Sequence, residues 1–456
     1  MASYADREAF IPYRRADIIQ ICIEDGRLAP EQIPLFQDFC TILSAYYHVQ
    51  SQKLLETLKD AFTPFNPDID TRIRNNPTAE VQQQMEQQLV QAFEKVLKQA
   101  NYTPLSSDDL QGAFASESLI TLKTSVDFDD YEHVIFYFRG DNYTTATVKK
   151  WGFKKVEIEI DNLERVALLL KFKDSDHFLA RKHKIEELSF TPGKMYIYLY
   201  KNVPRSDLEI LFPNVKVRMN WKDRLLFIVP ALVAASQLLI KIVPSLLIIA
   251  GVIALVTLGT DAAAWFSVDQ RTMSNVLPVL ITALTIGMTL GGFAFKQYTS
   301  YKHKRLQFLK RVTDTLFFKN LVTNAGVLYT LIDAAEEEEC KEIILVYYHL
   351  LIAEQGLSRE ALDNAIEQWM ETRLDARIDF DIGKTLRNLE ALQAPIGPVQ
   401  SDGNAGMTHV ALLQTDTQGI HRVLPLSEAN AVMDYIWDNI FQYTSPTLDE
   451  LLSDSR

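Results

Sequence analysis

The sequence predicts an α+β membrane protein with an N-terminal helical plus antiparallel-sheet region, a transmembrane helical hairpin and a C-terminal winged-helix-like region. Three patterns predict this: long internal apolar runs, a stretch of period-two alternation, and C-terminal helices followed by a short hairpin. The expected limits are 1–115 for the N-terminal helices, 116–220 for the β-rich region, 221–297 for the transmembrane hairpin with a preceding interfacial helix, 298–356 for juxtamembrane helices and 357–456 for the winged-helix-like domain.

The charge balance and the cysteines exclude several classes of protein. The 456 residues include 46 Lys and Arg against 59 Asp and Glu, a formal net charge of -13. This argues against a nucleic-acid binder, which is usually basic. Cys22, Cys40 and Cys340 are far apart and form no C-x-x-C pair, so a disulfide scaffold and a zinc ribbon are not expected.

The N-terminal region is predicted to be helical. Residues 1–14 contain no apolar run, so no cleavable secretory signal is expected. Phe36–Phe65 carries apolar residues near a 3.6-residue period, and Thr78–Ala100 is a Gln-rich amphipathic segment. These patterns are typical of helices that pack in a bundle.

The period changes to two between Tyr131 and Lys201. Five segments there are rich in β-branched and aromatic residues and are separated by Gly-Asp-Asn, Asp-Asn or Pro-Gly. We therefore expect four or five antiparallel strands. The segments are Val134–Gly140, Tyr143–Trp151, Lys155–Asp161, Arg165–Lys173 and Lys194–Lys201.

The first apolar run has Lys241 as its only charge between Leu225 and Gly259. It is too long for one ordinary crossing and short for two. We expect Leu225–Ile240 to lie in the interface and the segment from Ile242 to Gly259 to cross the bilayer. In the alternative interpretation Leu225–Ile240 is itself a crossing, which gives three spans.

The second apolar run, from Val276 to Phe295, has no charge and fits one crossing. Basic residues flank the two runs, and the loop between them carries Arg271 as its only basic residue beside Asp261 and Asp269. By the positive-inside rule, both termini should lie on the cytoplasmic side or its equivalent. The alternative is a helical hairpin buried in a soluble protein.

Small residues recur four apart in the second run, at Ala283, Gly287 and Gly291. Such residues let helices approach closely in lipid. The pattern predicts helix packing within the hairpin, and oligomerisation is the alternative.

A long helix is expected over Leu321–Leu351, with Glu339 and Glu342 on its apolar face. A carboxylate there must pair, accept hydrogen bonds or be protonated. We predict a buried polar network of Asn324, Asp333, Glu339 and Glu342, with Lys310, Arg311 or Lys319 as the cations. A solvated break in the stripe and a metal or catalytic carboxylate cluster are the alternatives.

The C-terminal pattern of helices and a hairpin favours a winged helix, with Ser358 as the N-cap of a helix over Leu357–Leu374. Its second helix, Phe380–Leu392, carries Lys384 and Arg387 against several acids. This near-neutral helix indicates protein contacts over DNA recognition.

Several segments together resemble the uncharacterised domain-of-unknown-function family numbered three-seven-five-four, which includes membrane proteins of organelles and photosynthetic bacteria. The most specific are KNVPRSDLEILFPNVKVRMNWKDRL, which ends near Arg224, and the block from Asn324 to Glu339; FIPYRRADI and VLPLSEANAVMDYIWDN also match. The resemblance implies an architecture but no catalytic residues.

The sequence contains no phosphate-binding loop, nucleophile elbow or zinc-protease motif. We therefore expect no catalytic residue, cofactor or metal site. The predicted function is a non-enzymatic, membrane-anchored scaffold or adaptor that presents soluble domains. Its expected partners are membrane lipid and a protein partner or a second copy, and not nucleic acid.

Two other functions stay open. One is an oligomeric channel or transport component that uses Lys241. The weaker one is a metal-dependent enzyme that uses Asp333, Glu339 and Glu342. The predicted location is a multi-pass position in a bacterial inner, thylakoid-type or organellar membrane.

Overall fold

The computed structural model of the protein describes residues 9–74, 76–105, 123–150, 154–218, 320–395 and 409–441, with separate residues between 281 and 319. The chain divides into two compact units. The larger comprises Met1–Ala113, Phe128–Arg205 and Lys319–Arg456, and the smaller comprises Phe114–Asp127 and Ser206–Phe318.

The helices of the larger unit begin at polar caps in several places. Thr78 accepts a hydrogen bond from the Val81 backbone, and Ser358 accepts one from Ala361 at 3.3 Å. The predicted helix over Thr78–Ala100 and the Ser358 cap are thereby confirmed. The helices are α1 Arg15–Glu24, α2 Gln32–Phe62, α3 Ala79–Gln99, α4 Ser175–Ala180, α5 Ala325–Leu351, α6 Arg359–Leu374, α7 Ile382–Ala391 and α8 Leu426–Asp438.

The long helix α5 runs through two apolar cores. In its first half, Val327, Leu328 and Leu331 pack in a core with α3 and the sheet. In its second half, the residues from Ile343 to Leu350 pack in a core with α1, α2 and the C-terminal elements. The helix α5 therefore connects the two apolar cores of the larger unit.

The main sheet is antiparallel, with strand order β1-β3-β4-β5-β7. One face lies on α3 and α5, so the sheet and the helices share the first core. The strands described in the chain are β1 Thr103–Pro104, β2 Lys123–Ser125, β3 Tyr131–Lys150, β4 Lys154–Phe172, β5 Met195–Pro204, β6 Lys216–Arg218, β7 Asn320–Thr323, β8 Leu357–Ser358, β9 Gln393–Ala394, β10 Val410–Ala411, β11 Leu413–Thr415 and β12 Ile420–Val423.

Four of the predicted strands are in fact two long ones. The Gly-Asp-Asn at Gly140 was expected to be a turn, but β3 continues through it to Lys150. Similarly, Asp161-Asn162 lies inside β4. Gly140 has φ +75°, a value that other residues rarely adopt, so this glycine accommodates an irregularity within the strand and does not end it.

Asn324 joins the sheet to α5. Its backbone N–H donates to the Ile197 carbonyl, its side-chain oxygen accepts from the Ile197 N–H at 3.0 Å, and its amide donates to Asp68. The residue has φ +50° and is 5% exposed. Because β7 occupies Asn320–Thr323, α5 begins later than the helix expected from Leu321.

The C-terminal elements combine helices with two small sheets. After α5 come β8, α6, α7, β9, β10, β11, β12 and α8; β9 pairs with β10, and the other small sheet has the order β11-β12-β8. The turn between β11 and β12 is closed by Asp416, whose side chain accepts from the Gln418 and Ile420 backbones. We call residues 357–438 the C-terminal module.

The smaller unit is described in part. Its strands β2 and β6 pair antiparallel, with Lys123 opposite Arg218. The Asn214 amide donates to the Asp127 carbonyl at 2.8 Å, which ties the segment after β5 to the segment after β2.

The predicted fold class, an α+β membrane protein, is wrong. Among the described residues, no helix combines the length and the hydropathy that a bilayer crossing needs. The described helix α5 is long enough to cross a bilayer, but the charged residues of Glu336–Glu342 stand in its middle. The structure supports a mixed α/β protein with sheets. Of the residues that bounded the expected spans, Ile242, Gly259 and Val276 lie outside the described residues, and Phe295 is helical and 72% exposed.

We expect Asn324→Ala to lower the free energy of unfolding by about 2–3 kcal/mol, because it removes two side-chain hydrogen bonds at a buried junction. Urea denaturation measures this. Asp333→Ala, on an exposed position of the same helix, is the matched control and should change stability by about 0.5 kcal/mol or less. Equal effects of the two substitutions would contradict the role of Asn324.

Candidate functional site

The middle of α5 carries charged side chains between the two apolar cores. Glu338, Lys341 and Glu342 are 1%, 2% and 3% exposed. Charges at such depth are unfavourable unless they are paired and hydrogen-bonded. We call the following set the charged belt: Glu336, Glu337, Glu338, Glu339, Lys341 and Glu342.

Lys341 forms the most deeply buried ion pair of the charged belt. Its Nζ lies 2.5 Å from Oε1 of Glu338, one helical turn earlier. The same Nζ donates to the backbone carbonyls of Ile11 and Tyr13, at 2.7 and 3.0 Å. The other Glu338 oxygen accepts from the Ile11 N–H at 3.1 Å.

These contacts fix the segment before α1, which we call the N-terminal strap (residues 9–14). Phe10 lies under two cations, with the Arg139 guanidinium carbon 3.9 Å and Lys341 Nζ 5.1 Å from its ring centroid. The Ala9 carbonyl accepts from the Asn101 amide at 3.0 Å. The motif FIPYRRADI therefore binds to the charged belt of its own chain.

Glu342 receives donors from three directions. The Asn101 amide donates to Oε1 at 3.2 Å, while Lys384 Nζ at 3.5 Å and Thr385 Oγ1 at 3.3 Å approach Oε2. Lys384 also lies 3.7 Å from Glu339, which accepts from the Gln99 amide at 3.1 Å. The belt thus connects α5 to the end of α3 and to α7.

Burial raises the pKa of Glu342 to about 7, and Glu339 and Glu338 act in the same direction against Lys384 and Asn101. Burial disfavours the charged form of Lys384, yet Glu342 and Glu339 outweigh it and raise the pKa of Lys384. Glu342 can therefore exchange a proton near neutral pH while Lys384 stays charged.

Glu336 and Glu337 hold the start of α1. The Arg15 N–H donates to Glu337 at 2.6 Å, and the Arg15 guanidinium lies within 3.8 Å of both carboxylates. His48 Nδ1 lies 3.2 Å from Glu336. The Arg15 side chain is therefore engaged inside the protein.

Cys340 lies within the belt but lacks the properties of a nucleophile. Burial raises the pKa of its thiol to about 12, although Arg15 opposes the shift. A reactive cysteine needs a lowered pKa and some access to solvent. Across the described ranges, no group of three or more His, Cys, Asp or Glu side chains is placed to hold a metal ion.

The structure brings two of the four predicted network residues together. Glu339 and Glu342 share Lys384, whereas Asn324 contacts Ile197 and Asp68, and Asp333 lies on the exposed side of α5. The cation beside Glu339 and Glu342 is Lys384 of α7, which the prediction did not name. Of the cations it named, Lys310 is exposed and Arg311 lies outside the described residues.

Sequence reasoning missed Glu338, Lys341 and Asn101. The spacing of Glu338 and Lys341 could have been recognised as an i,i+3 ion pair. The position of Asn101, with φ +60°, depends on the end of α3 and has no comparable signal. Of the predicted packing residues, Ala283 and Gly287 lie outside the described residues, and Gly291 is an exposed helical residue.

We expect Lys341→Met to lower the free energy of unfolding by about 3–5 kcal/mol, because Glu338 would keep a buried charge without its cation. Urea denaturation measures the loss. The N-terminal strap should also be released, which trypsin cleavage after Arg14 would report.

The matched control for Lys341→Met is the double variant Glu338→Gln/Lys341→Met, which removes both charges. It should recover a large part of the lost stability. If the single and double variants lost equal stability, the buried pair would not explain the effect.

The raised pKa of Glu342 predicts a pH dependence. Its ordinary value is 4.5 and its value in the fold is about 7, so its stabilising contribution is complete below pH 4.5 and is lost as the pH rises through 7. The free energy of unfolding should therefore fall by about 3 kcal/mol as the pH rises from 4.5 to 7, and the Glu342→Gln variant should lack this fall. Chemical denaturation between pH 5 and 8 measures it, with the exposed Glu360→Gln as the control that keeps the decrease.

Comparison with known proteins supports the resemblance noted in the sequence. No solved structure matches the chain. The family model DUF3754, described as a protein of unknown function, matches residues 163–326, from β4 through the smaller unit to the start of α5. The family suggested by the sequence is thus confirmed over this segment as DUF3754.

Proposed function

We propose that the protein is a non-enzymatic scaffold or adaptor whose C-terminal module contacts proteins and not nucleic acid. The observation that carries the proposal is the position of Lys384. It lies on α7, the second of the two helices α6 and α7, which we call the helix pair, and it is directed to Glu339 and Glu342 inside the chain.

A helix that reads DNA needs cations free to meet phosphates and base edges. In α7, Lys384 and Thr385 are both engaged by Glu342, and Gly383 lies under the Arg359 guanidinium. Arg387 is exposed, but Glu390 is exposed on the same helix. The helix therefore has little net positive charge to offer.

Acidic residues surround this helix pair. Burial raises the pKa of Asp363 to about 6, and the nearby Glu367, Asp379 and Asp381 act in the same direction against Arg359. The whole chain has a net charge of -13. A net negative charge repels a polyanion and suits a neutral or basic protein surface.

The end of α8 offers a surface of the kind that binds proteins. Trp437 is 40% exposed and Phe441 is 82% exposed. Lys53 Nζ lies 5.6 Å from the Phe441 ring. Exposed aromatic side chains beside a cation are frequent anchors at protein interfaces.

The metal-dependent enzyme has less support. Of its three carboxylates, Glu339 and Glu342 are occupied by Lys384, and Asp333 is on the exposed side of α5. Lys241, on which the channel hypothesis depends, lies outside the described residues.

Two measurements test the proposal. A photoreactive amino acid at Phe441 should give discrete protein adducts in cells, whereas one at the exposed Glu360 of α6 serves as the control. Trp437→Ala should then weaken binding of the captured protein about tenfold or more, as expected of an aromatic anchor.

In fluorescence anisotropy, a labelled DNA duplex should show no tight binding between about 50 and 200 mM salt. Salt-dependent DNA binding that is lost in Arg387→Gln would overturn the proposal. So would the absence of protein adducts at Phe441.

A further inference from the structure

Three cations lie side by side across the strands β3, β4 and β5. Arg139 is directly opposite Arg165, and Arg165 is directly opposite Lys201. We call these three residues the basic row. It lies on the sheet face of the first core, because Arg165 is two residues from Ala167, which is buried in that core. Neighbouring strands are about 4.8 Å apart, so the row spans roughly 10 Å and its long side chains can meet one small anion.

The basic row has no carboxylate partner in the described part of the chain. Arg139 donates to the Ala100 carbonyl at 3.2 Å, and Arg165 donates to the Glu164 carbonyl at 2.9 Å. The Glu164 side chain lies on the opposite face of the sheet, close to Gly140. The third cation of the row is exposed. Because like charges directly opposite each other destabilise a sheet, the basic row lowers the stability of the fold unless an anion binds to it.

Other cations of the same sheet are paired with acids. Lys171, also on β4, lies 2.5 Å from Glu86. The Arg205 guanidinium, just after β5, lies 3.2 Å from Asp141 and 2.9 Å from Asp161. The chain thus supplies counter-charges at these positions and not at the basic row, although its net charge is -13.

Neutral groups hold the Arg139 guanidinium in place. Its central carbon lies 3.9 Å from the centroid of the Phe10 ring and 4.9 Å from that of the Tyr102 ring. These rings and the Ala100 carbonyl orient the guanidinium but do not cancel its charge. A group that is fixed in this way loses little freedom when it binds a ligand.

Tyr102 adds a hydroxyl group to the basic row. The residue is 5% exposed, and its hydroxyl has no hydrogen-bond partner among the residues that the structure describes. Burial raises the pKa of Tyr102, while Arg139 and Arg165 oppose the rise, so both guanidinium groups act on this hydroxyl. The hydroxyl is therefore able to donate to an anion that the two arginines attract.

We propose that the basic row and Tyr102 bind the phosphate group of a phosphate monoester. Each guanidinium can donate two parallel hydrogen bonds to phosphate oxygens, and the lysine adds a point charge. A phosphate monoester carries a charge of about -1.5 to -2 at neutral pH, which suits three cations better than the single charge of a carboxylate. A phosphodiester of nucleic acid also carries only one charge.

Isothermal titration calorimetry of the full chain with inorganic phosphate, at constant ionic strength, tests this inference. Arg165→Gln removes the central cation and should weaken binding about tenfold or more. Arg139→Gln and Lys201→Gln should each weaken it as well. Lys182→Gln, which removes an exposed cation after α4, is the matched control and should bind phosphate like the wild type.

Thermal melting separates a binding role of Arg165 from a structural one. In phosphate-free buffer, Arg165→Gln should melt at the wild-type temperature or above it, because the substitution relieves repulsion within the row. Added phosphate should raise the Tm of the wild type and leave that of Arg165→Gln nearly unchanged. A variant that melts at a lower temperature without phosphate, and is stabilised by phosphate as much as the wild type, would contradict the proposal.

The source of the phosphate group is decided by two further ligands. Glycerol phosphate is a soluble monoester, and phosphatidic acid carries the same group on a lipid. Binding of glycerol phosphate without binding to phosphatidylcholine vesicles that contain phosphatidic acid would identify a soluble ligand. Vesicle binding that is lost in Arg165→Gln would identify a lipid headgroup.

A full chain that binds neither inorganic phosphate at millimolar concentration nor either monoester would overturn the inference. So would binding that none of the three substitutions in the basic row weakens. The outcome is separate from that of the proposed adaptor function, because photocrosslinking at Phe441 reports the C-terminal module and should be the same in wild type and Arg165→Gln.

Discussion

The buried charged belt of α5 is the constraint on which the larger unit depends. Six charged residues stand where the helix passes between two apolar cores, and the buried ones among them must find partners inside the chain. The partners come from segments far apart in sequence: the N-terminal strap, Asn101 after α3, and Lys384 of α7. Satisfying these charges therefore fixes the relative positions of the strap, the α3 end and the C-terminal module.

The same constraint limits what the C-terminal module can do. If Lys384 moved away from Glu342, the buried carboxylate would lose its cation, which is unfavourable. Lys384 is therefore held inside the chain and α7 stays packed on α5. The strap is held in a similar way, because its carbonyls complete the coordination of Lys341. The protein contact that we propose is therefore placed on an outer surface, the aromatic end of α8.

Local rules predicted a good part of the structure, and non-local contacts explain the rest. The caps at Thr78 and Ser358 and the amphipathic helices follow from neighbouring residues. The position of Glu342 on a packed face also follows from helical periodicity. Its cation could not be predicted, because Lys384 lies 42 positions away and nothing local distinguishes it from Lys310.

The predicted turn at Gly140 was wrong, because a glycine can lie within a strand at a positive φ as well as end the strand. The membrane assignment rested on apolar length in a region outside the described residues.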